Sequence, residues 1–184
     1  MNKEKNRKAF PLSKLTMIAV FIALIAVLTS FPVAIPGGHG YIHLGDSMIY
    51  TCAWALGGPA AGVASAAGSA LADILLGYPQ YAIATLIIKF LMAYICYLIM
   101  KAFSYKMSTN IFAMAIASLI MVAGYVGYEY ILSGRGGAVV VVIPNLIQAV
   151  GGVVLGAVFV AVLNSIRAFD PYIKWKADKQ NEQN

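Results

Sequence analysis

Long apolar runs recur along the whole chain, and they constrain its fold more than any other feature of the sequence. A helix needs about 20 apolar residues to cross the hydrocarbon core of a bilayer. Runs of about this length occur at residues 12–31, 81–102, 110–132 and 139–166. Only 11% of the 184 residues are charged, against roughly a quarter in a soluble domain. The sequence therefore predicts an all-α integral membrane protein and excludes a soluble enzyme with a single anchor.

The apolar region from residue 46 to residue 77 is too long for one straight helix. Gly57-Gly58-Pro59 interrupts it, and this combination favours a turn because proline cannot continue a helical hydrogen-bond ladder. We therefore predict two shorter spans, at 42–57 and 60–77. This gives six spans in a single membrane domain covering residues 1–184, with short tails at 1–11 and 170–184.

The basic residues predict the orientation of these spans, because Lys and Arg accumulate in short loops on the cytoplasmic side. With six spans, eleven of the thirteen basic residues fall on the cytoplasmic side and only Arg135 falls outside. Five spans would leave six on each side and discard this bias. We therefore expect a compact bundle of six transmembrane helices with both tails in the cytoplasm. The net charge of +6 is then a topology signal, and it gives no case for nucleic-acid binding.

A few polar and ionisable side chains fall in the outer half of this bundle. Charges at membrane depth face a protein interior or a wet cavity, and polar groups that converge from several helices predict a ligand pocket. Tyrosines on the same side could form its walls for a planar heterocycle. The predicted substrate-binding residues are His43, Asp46, Asp73, Tyr81, Lys89, Tyr125, Glu129, Asn145 and Gln148.

The same charges admit two other interpretations. Lys89 could pair with Asp73 or Glu129 merely to neutralise a buried charge, while the amides join helices. An autonomous channel or proton-coupled carrier would use the same three residues as a relay across the bilayer. This alternative predicts polar residues at every depth, whereas the inner halves of the spans are nearly all apolar.

The first outer loop, residues 32–46, contains two prolines and four glycines. Such a loop can bend tightly over a site, so it is either a lid or an ordinary connector. The predicted lid residues are Gly37, Gly38, His39, Gly40 and Tyr41. Histidines four apart can ligate a metal on a helix, but the glycines argue against a helix here, and we expect no metal site.

The sequence also lacks motifs for chemistry. It has no G-x-x-x-x-G-K-[ST] phosphate loop, no H-E-x-x-H and no G-x-S-x-G, so we expect neither an enzyme nor a bound cofactor. Ala19 and Ala23, four residues apart in the first span, allow close helix approach. They serve either internal packing or docking of another membrane subunit.

Four segments in the first hundred residues form a distinctive combination. They are the alanine-rich span with Ala19 and Ala23, the loop PGGHGYIHLGDS, the turn GGPAAG and the run GSALADILLGYPQYAIATLIIKFLMA from Gly68 to Ala93. Together they resemble the substrate-binding S component of energy-coupling factor (ECF) transporters. Within that family, the loop and the stretch LADILLGYPQY look most like members that take hydroxymethylpyrimidine or pyridoxine, with riboflavin and thiamine members more distant.

The resemblance implies a multi-pass protein in the cell membrane of a bacterium or archaeon, which captures a small vitamin or vitamin precursor from outside. It implies a transmembrane coupling subunit, contacted by Ala19 and Ala23, and two cytoplasmic ATPase subunits as partners. These ATPases would supply the energy for which this chain has no nucleotide site. Delivery of the ligand would involve tilting of the S component in the lipid bilayer.

Overall fold

Helices dominate the computed structural model, which describes residues 12–34 and 41–166. They are α1 (Leu12–Thr29), α2 (Gly45–Ala55), α3 (Gly58–Leu75), α4 (Ala82–Ala102) and α5 (Met107–Ser165). A 3-10 turn, Pro79–Tyr81, precedes α4. Two short strands, β1 (Val33–Ala34) and β2 (Tyr41–Ile42), pair antiparallel in the first loop. The expected helical class is therefore found, together with a strand pair that the apolar pattern does not predict.

The chain turns sharply between α2 and α3 at two glycines. Gly57 and Gly58 have φ angles of 61° and 59°, in the left-handed region that glycine adopts without strain. Pro59 lies in the first turn of α3, where a helix does not need its missing N–H. The helix before this turn is shorter than the span predicted at 42–57, because residues 41 and 42 pair as a strand and α2 begins only at Gly45.

The last helix, α5, is folded back on itself. Its 59 residues would extend about 88 Å if straight, nearly three times the roughly 30 Å of a bilayer core. Its backbone is non-helical at Gly134, with φ 70° and ψ −165°. A Cβ at Gly156 would lie 2.9 Å from the ring of Tyr50 and 3.5 Å from the sulfur of Met114. About forty residues of straight helix would separate Met114 and Gly156 by about 60 Å, so the two parts of α5 lie side by side.

The connection predicted between the spans at 110–132 and 139–166 is therefore a single break in otherwise helical backbone. Only Gly134 leaves the helical region, although three glycines lie within residues 134–137. Glycine allows this because it has no Cβ to clash at positive φ. The parts of α5 before and after the break are called its first part, residues 107–133, and its second part, residues 135–165.

All eleven residues of α2 are buried, so the other helices surround it. Small residues bring the surrounding helices together: a Cβ at Gly68 of α3 would lie 2.7 Å from the carbonyl oxygen of Ile22 in α1. A Cβ at Gly62 would lie 2.7 Å from the ring of Phe90 in α4. These glycines therefore serve internal packing, as small residues do between membrane helices.

The outer surface of the bundle is apolar. Large side chains such as Leu24, Ile87 and Ile143 are exposed there, which is unusual for a monomer in water. Among the described residues, Pro79–Ala102 and Met107–Ser165 are long and apolar enough to cross a membrane, and Lys14–Thr29 is a shorter apolar helix. The predicted tails, 1–11 and 170–184, lie outside the described residues.

Candidate ligand-binding site

A buried ion pair joins α2 to α4. Lys89 Nζ donates a hydrogen bond to Asp46 Oδ1 at 2.5 Å, and both side chains are fully buried. Burial of either charge alone would be costly, so pairing is the condition for both to lie in the interior. The interpretation in which Lys89 pairs with Asp73 or Glu129 does not hold, because the first turn of α2 places Asp46 against Lys89 instead.

Gln148 connects this pair to the second part of α5 and to the first loop. Its Nε2 donates to Asp46 Oδ2 at 2.8 Å, and its Oε1 accepts from the backbone N–H of His43 at 3.2 Å. The His43 Nδ1 accepts from the backbone N–H of Gly45 at 3.0 Å. Both oxygens of Asp46 and both ends of the Gln148 amide therefore have partners within the site.

His43 is uncharged at neutral pH in this environment. Burial of the ring lowers the pKa of His43 to about 4; the Asp46 carboxylate opposes this effect and Lys89 adds to it. The hydrogen bond that Nδ1 accepts from Gly45 also requires that nitrogen to be unprotonated. The charges in this part of the site are therefore one carboxylate and one ammonium group.

An aromatic wall lies on another side of Lys89. Its Nζ is 5.3 Å from the centroid of the Tyr125 ring, within the range of a cation–π interaction. The Tyr125 hydroxyl is 2.9 Å from Thr85 Oγ1, and Thr85 is buried. The six residues His43, Asp46, Thr85, Lys89, Tyr125 and Gln148 are called the central cluster below. Thr85 was missed by the sequence analysis, although its position four residues before Lys89 puts both on one helix face.

A second group of polar residues, the outer cluster, lies between the start of α4 and the end of the first part of α5. Glu129 is buried and accepts hydrogen bonds from the Tyr81 hydroxyl at 2.6 Å and from Ser133 Oγ at 2.5 Å. The Tyr128 hydroxyl donates to the backbone carbonyl of Gln80 at 2.5 Å. The rings of Tyr81 and Tyr128 meet edge to face, 5.6 Å apart. The outer cluster therefore fixes the start of α4 against α5, close to the break at Gly134.

The structure thus divides the predicted site residues between two clusters. Five of the nine predicted residues belong to the central cluster, and Tyr81 and Glu129 belong to the outer one. Asp73 is buried near the end of α3, where its backbone carbonyl accepts a hydrogen bond from the backbone N–H of Tyr78 at 2.8 Å. Asn145 is half-buried and donates to its own helix, at the Val141 carbonyl, 2.8 Å away. Neither Asp73 nor Asn145 is bonded to Lys89 in the described part of the chain.

Two further predictions concern the lid of the first loop and the alanines of α1. The lid residues Gly37, Gly38, His39 and Gly40 lie outside the described residues, as does the side chain of Tyr41. Ala19 and Ala23 are exposed on α1, whereas Ala26 of the same helix is buried. The line of Ala19 and Ala23 is therefore open to lipid or to another subunit.

Within the described ranges, no three His, Cys, Asp or Glu side chains are grouped to hold a metal ion.

Comparison with known proteins assigns the chain to a family. Residues 10–165 match the family described as the S component of ECF-type riboflavin transporters. The thiamine precursor transporter HmpT of Lactococcus lactis subsp. cremoris (strain MG1363) is 31% identical over 149 residues, covering 80% of this chain and 85% of HmpT. The chain therefore belongs to the S components of ECF transporters, which are membrane-bound transport subunits and not enzymes.

One further relative and one solved structure are also similar to this chain. An uncharacterized protein of Pyrococcus woesei is 38% identical over 139 residues, covering 73% of this chain and 88% of that protein. A solved S component of a bacterial ECF transporter has the same fold, with a TM-score of 0.64, 20% identity, and coverage of 85% of this chain and 96% of the solved one. The resemblance found in the sequence is confirmed, and its hydroxymethylpyrimidine-like subgroup fits the similarity to HmpT.

Proposed function

We propose that this protein is the high-affinity binding subunit of an ECF importer for a small vitamin precursor, with hydroxymethylpyrimidine as the first ligand and pyridoxine as the second. The observation that carries this proposal is the central cluster, in which Asp46, Lys89 and Gln148 converge beside the ring of Tyr125. A few polar groups that meet in an apolar protein are typical of small-molecule sites. The name of the relative HmpT supports a thiamine precursor.

The donor and acceptor groups of the cluster suit an aminopyrimidine. Such a ring carries a nitrogen acceptor beside an amino donor, and the Gln148 amide presents one donor and one acceptor side by side. Asp46 offers acceptors for the amino group, and Lys89 offers donors for a hydroxymethyl oxygen. The Tyr125 face would stack on the planar ring. When the ligand binds, these hydrogen bonds would replace the ones that the side chains make with one another.

Riboflavin is a third candidate, because the matching family is described by that vitamin. Its three fused rings would need a larger opening beside the central cluster than a single pyrimidine ring does. Pyridoxine has hydroxymethyl groups and a ring nitrogen but lacks an amino donor, so it would use fewer of the groups around Gln148. The relative affinities of the protein for hydroxymethylpyrimidine, pyridoxine and riboflavin would therefore show which of them is the ligand.

We further propose six membrane spans with both tails in the cytoplasm: α1, α2, α3, α4 and the two parts of α5. The return of α5 at Gly134 supports this count, and the distribution of basic residues supports the orientation. The outer side would then carry the outer cluster. The protein would lie in the cell membrane of a bacterium or archaeon.

The partners would be a transmembrane coupling subunit and two cytoplasmic ATPases. Exposure of Ala19 and Ala23 supports a contact with the coupling subunit, since small side chains allow close helix approach. ATP hydrolysis by the partners would drive tilting of this subunit and release of the ligand. An autonomous channel or carrier using Asp73, Lys89 and Glu129 is not favoured, because the charge of Lys89 is already engaged by Asp46.

Thermal unfolding of the purified protein tests the proposal. Hydroxymethylpyrimidine, pyridoxine, riboflavin and thiamine are each added in excess, and a ligand at 100 times its Kd stabilises the folded state by about 2.7 kcal/mol. We expect at least one of the first three to raise the melting temperature. No shift with any of the four would contradict the proposed function.

A further inference from the structure

The central cluster holds a negative charge of its own where an anionic ligand would have to bind. A helix N-terminus carries a partial positive charge that attracts anions, and Asp46 lies in the first turn of α2. The same carboxylate neutralises the ammonium group of Lys89 at 2.5 Å. One side chain therefore engages both sources of positive potential in the site.

The remaining interior offers no compensating charge. In the part of the chain that the structure describes, the buried acidic residues are Asp46, Asp73 and Glu129, and Lys89 is the one buried basic residue. His43 adds nothing at neutral pH, because burial lowers its pKa to about 4. An anion that enters this interior would leave water without gaining a free cationic partner, which is strongly unfavourable.

We propose that Asp46 acts as an internal anion that excludes phosphorylated ligands, so that the site accepts an uncharged heterocycle and rejects its phosphate ester. This inference rests on the proposed function and deepens it by stating the charge of the substrate. The hydroxymethyl group of the ligand must therefore arrive unesterified. A reaction that phosphorylates the ligand after its release inside the cell would also prevent rebinding.

The geometry makes Asp46 the residue on which this selectivity depends. An Asp46→Asn substitution keeps the shape of the side chain and one acceptor oxygen, but it removes the charge that neutralises Lys89. The ammonium group and the start of α2 would then lie beside the same space with no carboxylate to neutralise them. A cation beside a helix N-terminus is a favourable phosphate site, so the variant should gain the affinity for anions that the natural protein lacks.

The experiment compares ligand pairs that share a ring and differ only in the phosphate. Titration calorimetry is run on the purified full chain with hydroxymethylpyrimidine, pyridoxine and riboflavin, and with the phosphate monoester of each. For whichever ring binds, we expect the natural protein to bind the free alcohol at least about 100-fold more tightly than its ester. This comparison needs no variant and so does not depend on the folding of a mutant.

Two variants then test the role of Asp46. In Asp46→Asn the preference for the alcohol should fall by at least about tenfold, and millimolar inorganic phosphate should raise the melting temperature of this variant but not that of the natural protein. The double variant Asp46→Asn/Lys89→Met has no charge in the cluster. It should show neither the reduced preference for the alcohol nor the stabilisation by phosphate. Size-exclusion chromatography shows which variants are folded.

The outcomes separate this inference from the proposed function. If an alcohol and its ester bind the natural protein with affinities within about threefold, the site is indifferent to charge and the inference is wrong while the proposed function stands. If a folded Asp46→Asn variant keeps the full preference for the alcohol, Asp46 is not its source. If no ring binds at all, the proposed function fails and the inference fails with it.

Discussion

Gly152 of α5 lies directly against Asp46 of α2: a Cβ at Gly152 would be 3.1 Å from the Asp46 Cβ. A contact of this length is tighter than most Cβ contacts, so Asp46 would have to give way by a few tenths of an ångström. The absence of a side chain at Gly152 lets the second part of α5 approach α2 closely, and one turn away Gln148 reaches the Asp46 carboxylate at 2.8 Å. The central cluster therefore depends on a helix contact as well as on its polar side chains.

This contact predicts the effect of a bulky residue at Gly152. A Gly152→Val substitution should push α5 away from α2, weaken ligand binding by at least about tenfold and destabilise the protein by about 1–3 kcal/mol. Gly151→Val is the matched control, because a Cβ at Gly151 meets nothing within 4 Å. Melting temperature and ligand affinity of the two variants give the comparison. Equal losses in both would show that helix propensity, and not the contact with Asp46, is responsible.

The ion pair predicts a large loss of stability when one partner is removed. Lys89→Met leaves the Asp46 carboxylate buried without its counter-ion, which should cost about 3–5 kcal/mol. Lys101 is exposed near the end of the same helix, so Lys101→Met should change the free energy of unfolding by less than about 0.5 kcal/mol. Melting curves in the same detergent check both values. A Lys89→Met variant as stable as Lys101→Met would refute the buried pair.

The pKa of His43 predicts a dependence of stability on pH. The unfolded ring takes up a proton near pH 6.5, whereas the folded ring does so only near pH 4. Because the unfolded state binds more protons in this interval, the contribution of His43 to stability is complete above about pH 6.5 and is lost as the pH falls toward 4. Between pH 7.5 and pH 5 we expect a loss of about 1–2 kcal/mol, reduced from the full linkage value because the residue is partly exposed.

His43→Asn is the variant for this test, since its side-chain oxygen can replace Nδ1 as the acceptor for Gly45. The variant should lose less stability than the natural protein over the same pH interval, because Asn does not titrate. Melting temperatures at pH 7.5, 6 and 5 measure the difference. Parallel curves for the two proteins would mean that His43 is not held neutral by its surroundings.

The exposed alanines predict a separation of uptake from binding. Replacing Ala19 and Ala23 together with Leu should abolish ligand uptake by cells that contain the coupling and ATPase subunits, because the added side chains prevent close helix contact. Ligand affinity of the purified variant should stay within about twofold of the natural value, since both positions face outward. Val20→Leu, also exposed on α1, is the control. If binding falls as well, the alanines pack within the bundle.

Much of the fold is readable from the sequence because lipid imposes simple requirements. Apolar runs of sufficient length predict helices, and the paired glycines before Pro59 predict the turn between α2 and α3, which both glycines form with positive φ. The Gly-rich stretch at 134–137 was less informative. It predicts a loop, but a single glycine provides the break and the helix resumes at once, since nothing in composition reveals which glycine adopts positive φ.

The residues of the site could likewise be predicted only in part from the sequence. Rare charged and polar side chains in apolar segments indicate an interior site, and this reasoning selected Asp46, Lys89 and Gln148 together. It could not assign the partner of Lys89, because that depends on the register of α2 against α4, and α2 begins three residues later than predicted. Ser133 of the outer cluster was missed because it lies between the spans predicted at 110–132 and 139–166, and Gln80 was missed because it takes part only through its backbone carbonyl.

The most direct test of the central claim is the affinity of the natural protein and of a Gln148→Leu variant for hydroxymethylpyrimidine, pyridoxine and riboflavin, measured by titration calorimetry. We expect the natural protein to bind at least one of them with a Kd below about 1 μM. We expect Gln148→Leu, which keeps the size of the side chain but loses its donor and acceptor, to bind the same ligand at least about tenfold more weakly. Absence of binding to the natural protein, or equal affinity of the two proteins, would contradict it.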